Sequence, residues 1–126
     1  MGDRDPVTGK RRLQRLREEI QRELASIIEF ESRDPLVRDA FPTVMEVQLS
    51  PDARHAKVYV AAGGDTEREV FHAALTRDRG FYRSELADRL SLRHTPELQF
   101  IVDEAVERSI RLRELLREDD GDLEAA

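Results

Sequence analysis

The chain has 126 residues, 27 acidic against 21 basic for a formal net charge of −6, and no cysteine. That length suits one domain able to bury a sizeable core. The lack of cysteine excludes a disulfide framework and a cysteine-ligated zinc site, and no apolar run approaches the ~18 residues of a membrane span, so a soluble cytoplasmic protein is the default. Residues 1–9 are polar, contain Pro6 and Gly9, and read as a flexible arm. Residues 10–31 form the longest helix, with Leu13, Leu16, Ile20, Leu24 and Ile27 in one stripe and Arg11, Arg15 and Arg22 opposite. Asp34-Pro35 ends it, residues 36–42 are an irregular connector, and residues 43–50 read as a strand in which a bulge decides whether Val47 or Leu49 joins Val44 inside. After the Ser50-Pro51-Asp52 turn, residues 56–62 form a second strand with Val58 and Val60 on one face and Lys57 and Tyr59 on the other. An antiparallel hairpin is the simplest pairing.

Gly63-Gly64-Asp65 ends the hairpin, and Thr66 is placed to cap a helix whose apolar face is Val70, Phe71, Ala74 and Leu75. That helix breaks at Arg77-Asp78-Arg79-Gly80. A second helix follows over residues 81–92, with Tyr82, Leu86 and Leu90 at helical spacing. Thr95-Pro96 stops it, residues 98–102 suit a strand, and Asp103 caps a last helix over 104–117 carrying Ala105, Val106, Ile110, Leu112, Leu115 and Leu116. Residues 118–126 are acidic and read as a disordered tail. The order α-β-β-α-α-β-α describes an α+β domain with a three-stranded sheet and helices on one face.

Catalytic signals are poor. His55, His72 and His94 lack metal-ligand spacing, no carboxylate pair stands isolated among apolar residues, and Gly63-Gly64 lacks the Lys-Ser/Thr sequel of a phosphate loop. No enzyme, cofactor, metal or small-molecule substrate is expected. The charge distribution is more telling than its sum. Residues 117–126 set Arg117 against five acids, whereas residues 10–22 set Lys10 and five arginines against Glu18 and Glu19. All cations but Lys10 and Lys57 are arginine, the better residue for bidentate phosphate contact.

In K-homology (KH) domains two helices meet at a GxxG loop that clamps a nucleic-acid backbone. Here the corresponding junction has one glycine. Arg77, Arg79 and Arg83 surround it, and with the amides opening the second helix they make a phosphate site that Asp78 weakens. Ordinary exposed charge on a helix-turn-helix surface is the plainer alternative.

Gly80-Phe81-Tyr82-Arg83-Ser84 is followed by Leu92-Arg93-His94-Thr95-Pro96-Glu97-Leu98-Gln99-Phe100, Asp103, Glu107, Arg111-Leu112 and Leu115-Leu116. Asp34-Pro35 and Ala56-Lys57-Val58-Tyr59-Val60 precede them. In order and spacing these runs resemble the ribosome-binding factor A family over residues 10–117. The resemblance implies a KH-like domain of type II order, with a helix–kink–helix, usually AxG, in place of GxxG. It also implies a non-catalytic factor in late maturation of the small (30S) ribosomal subunit, including 16S rRNA processing, commonly linked to growth in the cold. Three positions depart from the pattern. Asp78 replaces the kink alanine and must be solvated, cap the second helix or pair with Arg77 or Arg79; residues 36–42 lack a glycine and run about two residues long; Ala105 replaces a serine.

The expected rRNA contacts are Arg77, Arg79, Gly80, Arg83, Arg89 and Arg93, with Arg11, Arg15 and Arg22 as a second patch. Gly80 sets the kink, and Phe81, Leu86, Leu90 and Phe100 are expected in the core. Nothing demands more than a monomer. The competing reading is a protein–protein adaptor of this fold, docking an acidic surface on a basic ribosomal protein or a GTPase without touching RNA.

Overall fold

A computed structural model describes residues 6–125, the side chains of residues 6–8, 105–107 and 118–125 excepted. The elements are α1 (Pro6–Glu31), α2 (Pro35–Arg38), β1 (Thr43–Leu49), β2 (His55–Ala61), α3 (Arg68–Arg77), α4 (Arg79–Leu90), β3 (Glu97–Ile101) and α5 (Glu104–Ala125). The expected order holds, with α2 added inside the connector. Pro35, which has no N–H to satisfy, opens that turn, and the Asp34 carboxylate accepts the Leu36 N–H at 2.9 Å.

The sheet order is β1-β2-β3. β1 and β2 pair antiparallel, whereas β3 lies parallel to β2 after the crossover through α3 and α4. The register shifts between Val44 and Glu46, and this bulge at Met45 turns both Val44 and Val47 inward. Those two join Val58, Val60, Leu98 and Phe100 on the face covered by α1, α3 and α4.

Side chains from the helices close both open edges of the sheet. Glu29 accepts the Val44 N–H at 3.0 Å and Gln21 the Val47 N–H at 3.2 Å. On β3, His72 Nε2 lies 2.9 Å from the Phe100 carbonyl, and just before that strand Arg83 donates to the Thr95 and Pro96 carbonyls at 2.8 and 3.2 Å.

Several local expectations change. Residues 6–9, expected in a flexible arm, belong to α1; residues 1–5 lie outside those described. Thr66 does not cap α3. Its hydroxyl donates to the Gly63 carbonyl at 2.9 Å, and Glu67 holds the cap position without a side-chain bond. The segment expected as a disordered tail continues α5 to Ala125. It holds no proline, and its single glycine costs a running helix only about 1 kcal/mol. Residue 126 and the side chains of Ala105 and Val106 lie outside those described. Of the remaining apolar residues assigned to the last helix, Ile110 alone is buried, because α5 meets β1 and β2 only along part of its length. Leu112, Leu115 and Leu116 stay more than half exposed. Leu86 and Phe100 are buried as expected; Phe81 and Leu90 are only half-buried.

The largest fully buried side chain is Tyr82, in the first half of α4. Its ring packs edge-on against Phe100 at 5.8 Å between centroids. The Ser32 hydroxyl donates to the Ile28 carbonyl at 2.6 Å, so the phenol, 2.8 Å away, donates to Ser32. Tyr82→Phe removes one bond and should cost about 1 kcal/mol. Ser32→Ala strands a buried phenol and should cost about 2 kcal/mol, with the double variant losing less than the sum in urea unfolding. Burial, opposed by the Ser32 bond, raises the Tyr82 phenol above its ordinary value. The unfolded chain therefore ionises first. The Tyr82 contribution is complete below pH ~10 and is lost as pH climbs through the raised value, a slope Tyr82→Phe should remove.

Candidate nucleic-acid interface

The helix–helix junction turns on Asp78, which takes φ −96° and ψ 14° and so leaves the helical path for one residue. Its N–H still bonds the Ala74 carbonyl at 3.3 Å and its carbonyl accepts the Tyr82 N–H at 3.1 Å, so one residue closes α3 and opens α4. Gly80 lies beyond the break, inside α4, and a Cβ there would meet nothing within 4 Å. The expectation that Gly80 sets the kink is therefore corrected: the backbone of Asp78 makes the bend, and Gly80 adds only an exposed, side-chain-free spot.

Of the three fates open to Asp78, solvation, capping and pairing with Arg77 or Arg79, capping is met by its backbone alone: Asp78 holds the N-cap position of α4, but its side chain makes no cap bond. The carboxylate pairs with Arg33 at 3.0 Å, and that guanidinium lies 4.2 Å over the Phe81 ring. Arg77 turns to Asp34 at 3.5 Å. The end of α1, the start of α2 and the kink are thus stapled by two ion pairs. Arg33 was missed by sequence reading because no periodicity marks a cation whose partner is 45 residues away.

The remaining predicted contacts divide by what the fold sets against them. Arg89 is held by Glu31, by Glu23 at 3.6 Å and by Glu85 at 3.7 Å. It ties α4 to α1 with its charge balanced by three carboxylates, and the Glu31 bond, ahead of the neighbouring charges, raises its already high pKa. Arg83 is spent on the Thr95 and Pro96 carbonyls and on Glu97 at 3.4 Å. Arg79 and Arg93 are exposed, with no ion pair among the described residues. The same is true of Arg11, Arg15 and Arg22, which line up on one side of α1 across about 16 Å.

Arg79 reaches a depression beside Lys57 and Gln99 at the edge of β3. The structure thus brings Arg77, Arg79 and Gly80 together at the kink, places Arg83 and Arg89 inside the scaffold, and leaves Arg93 in the following loop. Among the described residues no grouping of three or more His, Asp or Glu could hold a metal ion, and no helix is long and apolar enough to cross a membrane.

The family model described as ribosome-binding factor A matches residues 12–116. Ribosome-binding factor A of Heliobacterium modesticaldum is 44% identical over 108 residues, spanning 85% of this chain and 88% of that protein. The crystal structure of ribosome-binding factor A from Thermus thermophilus superposes with a TM-score of 0.61 at 31% identity, covering 71% of this chain and 92% of that one. A model of the Thermus thermophilus protein fitted into a cryo-EM map of its complex with the 30S subunit gives 0.60 at 34% identity, over 71% and 93% of the two chains.

Two substitutions separate scaffold from surface. Arg89→Ala should lower stability by about 1 kcal/mol, a loss that shrinks as salt rises, while affinity for a single-stranded RNA oligonucleotide stays within twofold of wild type. Gly80→Ala should raise stability by about 0.5–1 kcal/mol in thermal unfolding, since helical backbone with open space above it favours alanine.

Proposed function

The chain belongs to the ribosome-binding factor A family, and from that premise we propose that it binds the small ribosomal subunit and acts in its late maturation, including 16S rRNA processing. The observation that carries this reading is the family match over residues 12–116, together with the likeness over 71% of the chain to a member that has been fitted on the 30S subunit. Binding, without catalysis or a cofactor, is the activity. The protein works in the cytoplasm as a monomer, and its role matters most in the cold.

The contacting surface is the helix–kink–helix, with Arg77, Arg79 and the bare backbone at Gly80 meeting the rRNA backbone. Arg93 flanks it, and Arg11, Arg15 and Arg22 form a second strip along α1. Arg79, Arg93 and the α1 strip are exposed guanidiniums without a carboxylate partner among the described residues, free to replace the counterions of a phosphate chain, whereas Arg77 joins them by exchanging its 3.5 Å pair with Asp34 for a phosphate. Arg83 and Arg89 serve the surface by holding α4 and the loop before β3 in place. A second reading, docking on a protein of the subunit, draws support from Leu112, Leu115 and Leu116, which share one exposed side of α5.

Sucrose-gradient sedimentation of a cell extract at moderate salt tests the reading. The protein should run with free small subunits and be absent from translating ribosomes, with the bound fraction rising in the cold. A protein that stays at the top of the gradient, in the cold and at low salt alike, would remove the ribosomal assignment. Association that survives nuclease treatment would favour the protein-docking alternative.

A further inference from the structure

The side of the sheet turned away from α1, α3 and α4 is only partly covered. α5 crosses it near one end, where Ile110 is buried and Arg113 meets Glu46 at 3.1 Å. At the other end the strands place His55 opposite Glu97, and Lys57 between Gln48 and Gln99, all exposed. Three shallow depressions share His55 as a wall. One reaches Arg54 and His94, one reaches Lys57 and Arg79, and one reaches Gln48 and Ser50.

The charges here are unbalanced in a way those at the kink are not. Arg54, Lys57 and Arg79 have no ion pair among the described residues. Of the two nearby carboxylates, Glu97 is engaged by Arg83. Asp52 accepts the Ser50 hydroxyl at 2.7 Å and the Arg54 N–H at 3.1 Å, two bonds that, in that order, lower its pKa. At the kink, by contrast, Arg33 and Arg77 each face an aspartate.

We propose that this open end of the outer sheet face, centred on His55 and carried by Arg54, Lys57 and Arg79, is a second contact site for RNA phosphates. The inference rests on the reading that the chain binds rRNA, and extends it to the sheet face opposite α1, α3 and α4. The chemistry selects the partner. The patch is rich in hydrogen-bond donors of guanidinium, ammonium, imidazole and amide type, which suits phosphate oxygens and sugar hydroxyls. It has no large exposed apolar side chain, whereas a protein interface is built around an apolar centre. Arg79 belongs to both surfaces, so an RNA strand that tracks the kink passes directly onto the sheet. The Arg83 bonds to the Thr95 and Pro96 carbonyls hold the loop that presents His94.

The test uses the full chain and a fluorescent single-stranded oligouridine, with anisotropy titrations across a salt series. The Arg54→Gln/Lys57→Gln variant should bind at least fivefold more weakly and show a salt slope lower by about 1.4, two phosphate contacts at ~0.7 each. Its thermal midpoint should stay at the wild-type value, because both side chains project into solvent from the hairpin. Arg77→Gln at the kink is measured beside it. If Arg77→Gln weakens binding while the double variant keeps wild-type affinity and slope, the sheet-face site is overturned and the ribosomal reading stands. A lowered slope in the double variant, without co-sedimentation of the wild type with small subunits, supports the site and removes the ribosomal reading. Wild-type-like subunit association of the double variant, resistant to nuclease, overturns the site in favour of protein docking.

Discussion

The contact on which the rest of the molecule depends is Tyr82 buried between α1 and β3. Its ring meets Phe100 on the sheet, and its phenol donates to Ser32 just beyond the end of α1. Burying a side chain of that size contributes about 1.5–3 kcal/mol, and the bond chain through Ser32 to Ile28 adds direction to it. Because Tyr82 accepts no other seat, α4 has one rotation about its axis. That rotation aims Arg83 at the loop before β3 and Arg89 at the acids of α1, and leaves Arg79 at the rim. Phe81, next to Tyr82, faces out far enough for Arg33 to stack on it and reach Asp78. The kink is therefore held by packing on one side and by an ion pair on the other.

What the surface offers a partner is the remainder after internal pairing. A guanidinium surrounded by three carboxylates, as Arg89 is, already has its charge balanced at short range, and pulling it away would uncover Glu23, Glu31 and Glu85. One that ties backbone carbonyls, as Arg83 does, has used its directional donors. Arg79, Arg54, Lys57 and the Arg11, Arg15 and Arg22 strip have not. A chain of net charge −6 can thus present cationic faces, because five acids lie after residue 117 and others are set against the scaffold arginines.

The same economy governs the sheet edges. A three-stranded sheet has two, and an open edge invites another strand. Glu29 and Gln21 occupy the Val44 and Val47 N–H groups of β1, while His72 occupies the Phe100 carbonyl of β3 and Arg83 the carbonyls just before that strand. Partners are left to read the side chains that project from the helices and from the outer sheet face.

Local physics was legible from residue order alone. The 3.6-residue stripes of α1, α3 and α4, the alternation in β2 and β3, and the Pro and Gly stops gave the α+β order and the hairpin, since each depends on neighbours a few residues apart. The motif order along residues 10–117 likewise pointed to the family whose model matches residues 12–116. Tertiary structure decided which arginines are free. Arg89 and Glu31 are 58 residues apart, Arg33 and Asp78 are 45, and Arg77 and Asp34 are 43. No periodicity encodes such pairs, because they exist only after α4 has docked on α1. The bend at Asp78, the exposure of the α5 leucines and the meeting of Arg54, His55, Lys57 and Arg79 share that origin: each is set by which surfaces the packed elements cover, and coverage is a property of the whole chain.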